Sequence, residues 1–342
     1  NEADHAKAVA KHLGTEHTEL YVSGQDTLAV VPLLPKIYDE PFADSSQIPT
    51  YLVSKLAREK VTVALSGDGG DEVFGGYLRH LISEDPSWKS LKRVPAPLRR
   101  GAGSAIRGLS PAVLETLLQA SRPFMPKGLS GKLTLERLLK GAELLAVESP
   151  MDAYLSLNRR WSPDLLLEKG LGQGQWTALL RSLSEVPNPA TQMMLLDTMT
   201  YLPNDILVKV DRAAMAVSLE TRAPFLDHTI FEFAHSLPLE MKIHGGQGKV
   251  ILRKLLDRYV PRGLVDRPKM GFGVPIVDWL RGPLKEWSSD LLSPERLRAS
   301  GIFEVAQVQK KLQEHQSGAK NWQFYLWDIL MYQAWLEESK NG

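Results

Sequence analysis

Residues 61–77 read VTVALSGDGGDEVFGGY, and this stretch decides the fold class. Its first five residues are mostly apolar and rich in β-branched side chains, which predicts a short, buried strand of a parallel sheet. The strand leads into a loop, residues 66–72, with three glycines and three acidic residues, and residues 76–82 are helix-like. Strand, loop and helix in this order form the repeating unit of an open α/β sheet, in which ligands bind at the carboxyl ends of the strands.

The sequence differs on the two sides of this unit. Upstream, residues 18–22 have the composition of a short strand, and Pro49 suits the first turn of a helix that runs to about residue 59. From about residue 86 strand-like runs disappear, and helical periodicity is clearest at residues 193–201, 206–219, 250–259 and 322–336. The sequence therefore predicts an α/β fold, with a partial nucleotide-binding region over residues 1–85 and a mainly helical region over residues 86–342.

Composition and charge narrow the classes of function. The 342 residues are 43% hydrophobic and 24% charged, as in an ordinary globular protein. Because 41 Lys and Arg stand against 40 Asp and Glu, no net field favours nucleic acid or a membrane surface. No apolar run reaches the roughly 18 residues that span a bilayer. The chain has no cysteine, which excludes a cysteine nucleophile within it and fits a reducing, cytoplasmic location.

The first residues predict that the chain continues upstream. Asn1 is not a methionine, and apolar residues at positions 6, 9, 10 and 13 already follow helical spacing. A natural domain rarely begins inside an amphipathic helix, so we expect a preceding segment.

Two familiar loop motifs do not fit residues 66–72. The dinucleotide pattern GxGxxG would need a third glycine where Glu72 stands. A calcium-binding EF-hand loop that starts at Asp68 would need ligand side chains where Gly70 and Arg79 stand. The loop therefore needs another explanation.

The glycines and acids of this loop predict a phosphate site that contains magnesium. Gly67, Gly69 and Gly70 let successive backbone N–H groups turn toward an anion. Bare carboxylates would repel a triphosphate by about 4 kcal/mol per charge pair at 4 Å, and Mg²⁺ bridging acid and phosphate oxygens removes this conflict. We expect Asp71 to be the principal metal ligand, with Glu72 beside it. The alternative is a turn whose acids only cap a helix.

Three long motifs resemble the asparagine synthetase family, other members of which close β-lactam rings or amidate other carboxylates. The first motif is residues 63–77, and the second is residues 202–227, LPNDILVKVDR continuing to SLETRAPFLD. The third comprises Gly248-Lys249, ILR at 251–253 and RPKMGFGVP at 267–275. The motifs stand in the family's order and cover nearly the whole chain. The resemblance implies a truncated open parallel sheet of the ATP-pyrophosphatase (adenine nucleotide alpha hydrolase-like) type.

This resemblance also implies a two-step reaction that uses ATP and Mg²⁺. ATP adenylates the side-chain carboxylate of aspartate and releases pyrophosphate, and ammonia derived from glutamine then attacks the acyl-adenylate. Adenylation replaces a poor leaving group by AMP, while Mg²⁺ balances the charge on the departing pyrophosphate.

The resemblance assigns roles to twelve positions. Those that contact the nucleotide would be Ser66, Gly67, Gly69, Gly70 and Lys209; those that contact the substrate would be Asp205 and Arg212; the metal ligands would be Asp71 and Glu72; and the catalytic residues would be Asp68, Tyr77 and Lys269. Asp68 stands where the family also has Glu, which is one methylene longer. Structural roles are the alternatives: a core aromatic for Tyr77, a loop lysine for Lys269, a helix cap for Asp205, and an ion-paired helix face for Lys209 and Arg212.

Two elements of the family do not occur in these 342 residues: the phosphate-binding run Ser-Gly-Gly-x-Asp-Ser and the glutaminase domain with its first-residue cysteine. We therefore expect this chain alone to have little or no synthetase activity and not to hydrolyse glutamine. The acceptor is open, because a sugar or peptide carboxylate is an alternative to aspartate. A non-catalytic binding domain is the alternative to an enzyme, and a homodimer is compatible with the sequence.

Overall fold

The computed structural model describes residues 3–124, 134–158, 173–266 and 273–341. Within these ranges the chain is mostly helical and contains a single sheet of two parallel strands. The sheet is small, but it positions the loop that the sequence marks as the candidate site.

The elements follow one another in this order. Before the sheet lie α1 (Ala3–Leu13), α2 (Gly24–Val30), a 3-10 turn (Val31–Leu33), α3 (Leu34–Tyr38) and α4 (Gln47–Arg58). Strand β1 (Val63–Leu65) precedes α5 (Gly70–Phe74), a 3-10 helix (Leu78–Glu84), α6 (Pro86–Leu91), α7 (Ala96–Gly108), α8 (Pro111–Ser121) and a 3-10 turn (Arg122–Phe124). Next come α9 (Leu135–Ala146), α10 (Pro150–Asn158), α11 (Gln173–Leu183), α12 (Pro189–Leu196), a π-helical segment (Asp197–Leu207) and α13 (Val208–Met215). Strand β2 (Glu220–Arg222) precedes a 3-10 turn (Pro224–Leu226), α14 (His228–Ser236), α15 (Leu239–Lys242), α16 (Val250–Leu256), α17 (Arg262–Val265), α18 (Ile276–Arg281), α19 (Lys285–Leu291), α20 (Pro294–Ser300), α21 (Val305–Gln316) and α22 (Gln323–Asn341).

The main hydrophobic core joins the two ends of the chain. Leu34, Tyr38 and Ile48 from the first elements are buried in one cluster with Trp327 and Leu330 of α22. This burial excludes water from a large apolar area, which is the dominant favourable contribution to folding. No helix in the described part of the chain combines the length and apolarity that crossing a bilayer requires.

The structure corrects three expectations about strands. Residues 18–22 form no strand, because no neighbouring strand among the described residues supplies partners for their backbone groups. The strand at residues 61–65 is confirmed as parallel but is shorter, and it is not buried: Leu65 is 76% exposed. Finally, strands do not stop before residue 86, because β2 at Glu220–Arg222 is the partner of β1.

The predicted helices are confirmed with shifted ends. The helix expected at residues 193–201 ends as α12 at Leu196 and continues as the π-helical segment that contains Pro203. Proline has no N–H to donate to the preceding turn, so the regular α-helical ladder is interrupted there. The helix expected at residues 206–219 is α13, which ends at Met215 before the chain enters β2.

Candidate functional site

Parallel pairing of β1 with β2 brings two distant segments side by side. Val63 is in register with Glu220, and the N–H of Ser66 donates to the carbonyl of Arg222 over 2.8 Å. The pairing therefore continues past the strand into the loop at residues 66–72. Because both strands run in the same direction, this loop and the turn after β2 lie at the same edge of the sheet.

Packing against that turn accounts for two of the loop glycines. Gly69 has a φ of +85°, and a Cβ at this position would overlap Leu226. A Cβ on Gly70 would lie 3.1 Å from the ring of Phe225. The N–H of Gly70 donates to the carbonyl of Gly67 over 3.3 Å, so it is used within the loop. The glycines thus allow the close approach of two turns, and their contact with a nucleotide stays a prediction.

Asp71 presents a partly exposed carboxylate next to a cation. Its Oδ1 lies 3.0 Å from Nζ of Lys249, and roughly a quarter of each side chain is exposed, 24% for Asp71 and 31% for Lys249. The N–H of Lys249 donates to the carbonyl of Phe74 over 3.0 Å, and Lys249 adopts a left-handed φ of +56° just before α16. A Cβ on Gly76 would overlap both Asp71 and Lys249. Both the backbone and the side chain of Lys249 are therefore fixed to α5. Sequence reasoning gave Lys249 no role, although the third motif contains it.

Glu72 points toward Tyr77 and away from solvent. Only 2% of Glu72 is exposed, and the hydroxyl of Tyr77 donates to its Oε1 over 2.5 Å. Burial raises the pKa of Glu72, and the hydrogen bond from Tyr77 offsets part of this shift. Burial likewise raises the pKa of Tyr77, and the neighbouring Glu72 charge adds to the shift. The phenol is therefore kept protonated and donates to a carboxylate.

Mg²⁺ fits one of the two predicted ligands better than the other. Asp71 is accessible from solvent, whereas Glu72 would first have to leave Tyr77. Within the described ranges, no three acidic or histidine side chains form a cluster that could hold a metal by themselves. Mg²⁺ is usually bound through one or two carboxylates together with water and substrate phosphates, so the single exposed carboxylate of Asp71 is compatible with this ion, and its ligation also stays a prediction. Ligation by Glu72 stays a prediction.

A second charged cluster surrounds Lys209. Its Nζ lies 2.6 Å from Oδ2 of Asp44 and 3.6 Å from Oδ1 of Asp205. The hydroxyl of Tyr38 donates to the backbone carbonyl of Lys209 over 3.2 Å. Burial alone would raise the pKa of Asp44, but the charge and hydrogen bond of Lys209 outweigh burial and lower it. The structure thus brings the predicted Lys209 and Asp205 together and adds Asp44, to which the sequence analysis gave no role.

Tyr201 lies between the two clusters. Its ring meets the ring of Tyr77 edge to face, with 5.8 Å between the centroids. Burial raises the pKa of Tyr201, and the carboxylates of Asp205 and Asp44 raise it further. The side chain therefore contacts the first cluster, which comprises Asp71, Glu72, Tyr77 and Lys249. It also lies close enough to the second cluster for the carboxylates there to raise its pKa. Tyr201 therefore links the two clusters, and the first of them lies beside the loop after β1.

The remaining predicted residues are placed less decisively. Ser66 and Asp68 are partly exposed in the loop, and Gly67 is exposed. Arg212 follows Lys209 on α13 but is exposed. Lys269 falls at residues 267–272, outside the described residues. The roles predicted for these residues stay predictions.

Comparisons with known proteins agree with the three motifs. A family model described as asparagine synthase matches residues 1–337. The chain is 35% identical over 342 residues to "Putative asparagine synthetase (glutamine-hydrolyzing)" of Mycobacterium tuberculosis, and the match covers 98% of this chain and 48% of that protein. It is 31% identical to asparagine synthetase (glutamine-hydrolyzing) 1 of Bacillus subtilis, with 98% of this chain and 50% of that protein covered. A more distant match, 22% identical over 77% of this chain and 39% of the relative, is amidase chyE of Penicillium rubens. The chain spans about half the length of the first two relatives.

Proposed function

Because this chain belongs to the asparagine synthase family, we propose that it forms the ATP-dependent part of an amide-forming ligase. The proposed substrates are ATP, aspartate and ammonia released from glutamine elsewhere in the protein. The carboxylate of aspartate attacks the α-phosphorus of ATP, and pyrophosphate leaves. Ammonia then attacks the acyl carbon of the adenylate, AMP leaves, and a proton is lost to give asparagine.

The observation that carries this proposal is the meeting of three separate motifs at one edge of the sheet. Strand β1 of the first motif pairs with β2 of the second, and Asp71 of the first motif pairs with Lys249 of the third. These segments stand far apart in the sequence. A site for a polyanion and an acidic substrate, with cations and carboxylates opposed, explains why each of the three motifs carries charged side chains.

The first cluster suits the triphosphate. Lys249 supplies a fixed positive charge, and Asp71 is an oxygen ligand for a divalent cation. When bound, Mg²⁺ would neutralise charge on the phosphate oxygens as pyrophosphate departs. The phenol of Tyr77, held as a donor by Glu72, lies beside this cluster. Because the residues are held by packing before the substrate arrives, little reorganisation is needed during the reaction.

The second cluster suits the amino-acid substrate. Two carboxylates, Asp44 and Asp205, share the single ammonium of Lys209. A bound amino acid carries both an ammonium and a carboxylate, so it could exchange into this arrangement without leaving an uncompensated charge. Tyr201, which contacts Tyr77, would then lie next to the bound amino acid.

The acceptor acid distinguishes the candidate functions, and the name of one relative differs from the others. The Penicillium protein matched over 77% of this chain carries the name amidase rather than asparagine synthetase. The second candidate function is an amidotransferase or cyclase of the same family that acts on a sugar or peptide carboxylate. A binding domain without turnover is the third.

The test measures AMP production by the full-length protein from Mg-ATP, ammonium and a series of carboxylic acids. Aspartate should support turnover, whereas glutamate and simple sugar acids should not. Asp71→Asn should lower the rate by about a hundredfold, as expected for loss of a group that stabilises the charged transition state. The control Glu148→Gln alters an exposed residue of another ion pair and should have no effect. Turnover with a different acid and none with aspartate would select the second candidate.

The 342-residue chain by itself supplies an independent measurement. We propose that it gives little or no exchange of labelled pyrophosphate into ATP. Turnover in the full-length protein separates an enzyme from a binding domain, and binding of Mg-ATP to full-length wild type and Asp71→Ala tests the metal site. Equal affinities in these two proteins would remove Asp71 from the metal site.

A further inference from the structure

A buried carboxylate, Asp197, lies behind the candidate site. Asp197 has no exposed surface, and its two oxygens accept hydrogen bonds from Nε and Nη2 of Arg79 at 2.8 and 3.0 Å. Nε2 of His80 lies 2.6 Å from Oδ2, and the hydroxyl of Tyr154 donates to Oδ1 over 2.5 Å. The bidentate pair fixes the plane of the Arg79 guanidinium, because a planar fork meets a carboxylate in one orientation.

The guanidinium of Arg79 lies over two aromatic rings of the site. The Cζ atom of Arg79 lies 4.0 Å from the ring centroid of Tyr77 and 4.7 Å from that of Tyr201. Guanidinium groups stack favourably on aromatic rings, and the contact is stronger where water is excluded. Arg79 is therefore held at its edge by Asp197 and lies over the rings of Tyr77 and Tyr201.

The ring of Tyr77 is correspondingly restricted. Arg79 covers its face, Tyr201 meets it edge to face, and His80 does the same with 5.4 Å between centroids. Its hydroxyl reaches Glu72. Each contact restricts one direction of ring movement. The position of the phenol therefore depends on Arg79, and through Arg79 on Asp197.

We infer that Arg79, held by Asp197, is a positioning residue that fixes the Tyr77 ring and, through its hydroxyl, the Glu72 carboxylate beside the loop at residues 66–72. Neither Arg79 nor Asp197 needs to touch the substrate. A buried ion pair is often no more stabilising than well-packed apolar side chains, so stability alone does not require one here. The orientation of Tyr77 gives a reason for the ion pair, because a reacting group displaced by about 1 Å can lose on the order of a hundredfold in rate.

The inference rests on the proposed function, and a double-mutant cycle in the full-length protein tests it. Arg79→Met should lower kcat for AMP formation by about ten- to a hundredfold, with the KM for ATP changed by less than about threefold. In a Tyr77→Phe background the same substitution should change kcat by less than about twofold, because the phenol that Arg79 positions is already gone. Losses that multiply in the double variant would overturn the inference.

Two companion variants guard against a folding defect. Arg79→Lys keeps the charge but lacks the planar bidentate fork, so it should give a smaller loss with the same non-additivity if Arg79→Met does not fold. Arg100→Met is the matched control, because Arg100 forms an exposed pair with Glu148 away from the site. It should leave kcat unchanged in both backgrounds.

Hydrogen exchange gives a readout that does not depend on turnover. In Arg79→Lys, peptides that cover residues 70–77 should take up deuterium faster, while peptides from α21 should be unchanged. If the full-length wild type makes no AMP with any acid, the proposed function is refuted. Hydrogen exchange at residues 70–77 then decides by itself whether Arg79 positions Tyr77. Unchanged exchange at residues 70–77 would refute the positioning role, whatever the activity.

Discussion

Removing the Asp197 carboxylate should be among the most destabilising changes in the described part of the chain. In Asp197→Ala the guanidinium of Arg79, whose side chain is 18% exposed, loses its partner, and Nε2 of His80 and the hydroxyl of Tyr154 each lose a hydrogen-bond partner. Breaking a buried ion pair costs about 3–5 kcal/mol, and each of the two orphaned groups adds about 1 kcal/mol where water does not replace the carboxylate. We therefore expect a loss of roughly 5–7 kcal/mol, a large part of the stability of a typical domain.

Urea unfolding monitored by tryptophan fluorescence and far-UV circular dichroism measures this loss. The free energies of unfolding of wild type, Asp197→Ala and Asp197→Asn are compared; the asparagine keeps an acceptor and should lose less. Glu148→Ala is the matched control, because its pair with Arg100 has a similar length, 2.7 Å, but is 63% exposed on the glutamate side. That control should cost less than about 1 kcal/mol. If Asp197→Ala costs no more than Glu148→Ala, the network does not stabilise the fold as described.

Three smaller perturbations test individual contacts. Gly69→Ala should destabilise the chain by about 1–3 kcal/mol in urea unfolding, because φ is +85° and the new Cβ meets Leu226. The lowered pKa of Asp44 contributes stability that is present above about pH 4 and lost as the pH falls through the folded-state value. The urea midpoint of Asp44→Asn should therefore be lower than that of wild type at pH 7 and fall less steeply in acid, because the carboxylate with the lowered pKa is gone. Arg99→Met should cost about 1–3 kcal/mol in urea unfolding, because its buried guanidinium donates to two backbone carbonyls at the end of α9.

Each of these has a control within the chain. Gly101→Ala lies in α7 with open space around the new Cβ and should stabilise by about 0.5–1 kcal/mol. Asp290→Asn changes an exposed carboxylate and should leave the acid dependence as in wild type. Arg107→Met, on the same helix as Arg99 but exposed, should stay within about 0.5 kcal/mol. A variant that matches its control would disprove the contact assigned to it.

Local patterns predicted the loop and one of its strands but not the strand's partner. Residues 61–65 carry their own strand signal, and the glycines after them mark the turn. Glu220–Arg222 has no apolar alternation, because its strand geometry comes from pairing with β1 rather than from its own side chains. A strand that forms only through a tertiary contact cannot be predicted from a short window of its own sequence.

The candidate site shows the same division. Tyr77 and Glu72 are five residues apart and could be grouped by a local motif, whereas Asp44 and Lys209 are separated by 165 residues. Nothing near Asp44 in the sequence distinguishes it from an ordinary loop acid. The role of Asp197 could not be predicted from the sequence either, because this residue follows an apolar helical run and its partners come from other elements.

The separation of Asp44 from Lys209 also has a consequence for biosynthesis. At about 5–20 residues per second, a ribosome needs on the order of ten to thirty seconds to add the 165 residues between them. During that interval Lys209, the ion-pair partner of Asp44, has not been made. Phe225 and Leu226, against which Gly69 and Gly70 pack, are made later still. The nascent chain therefore carries an unfinished site until the segment from Lys209 to Lys249 has been made.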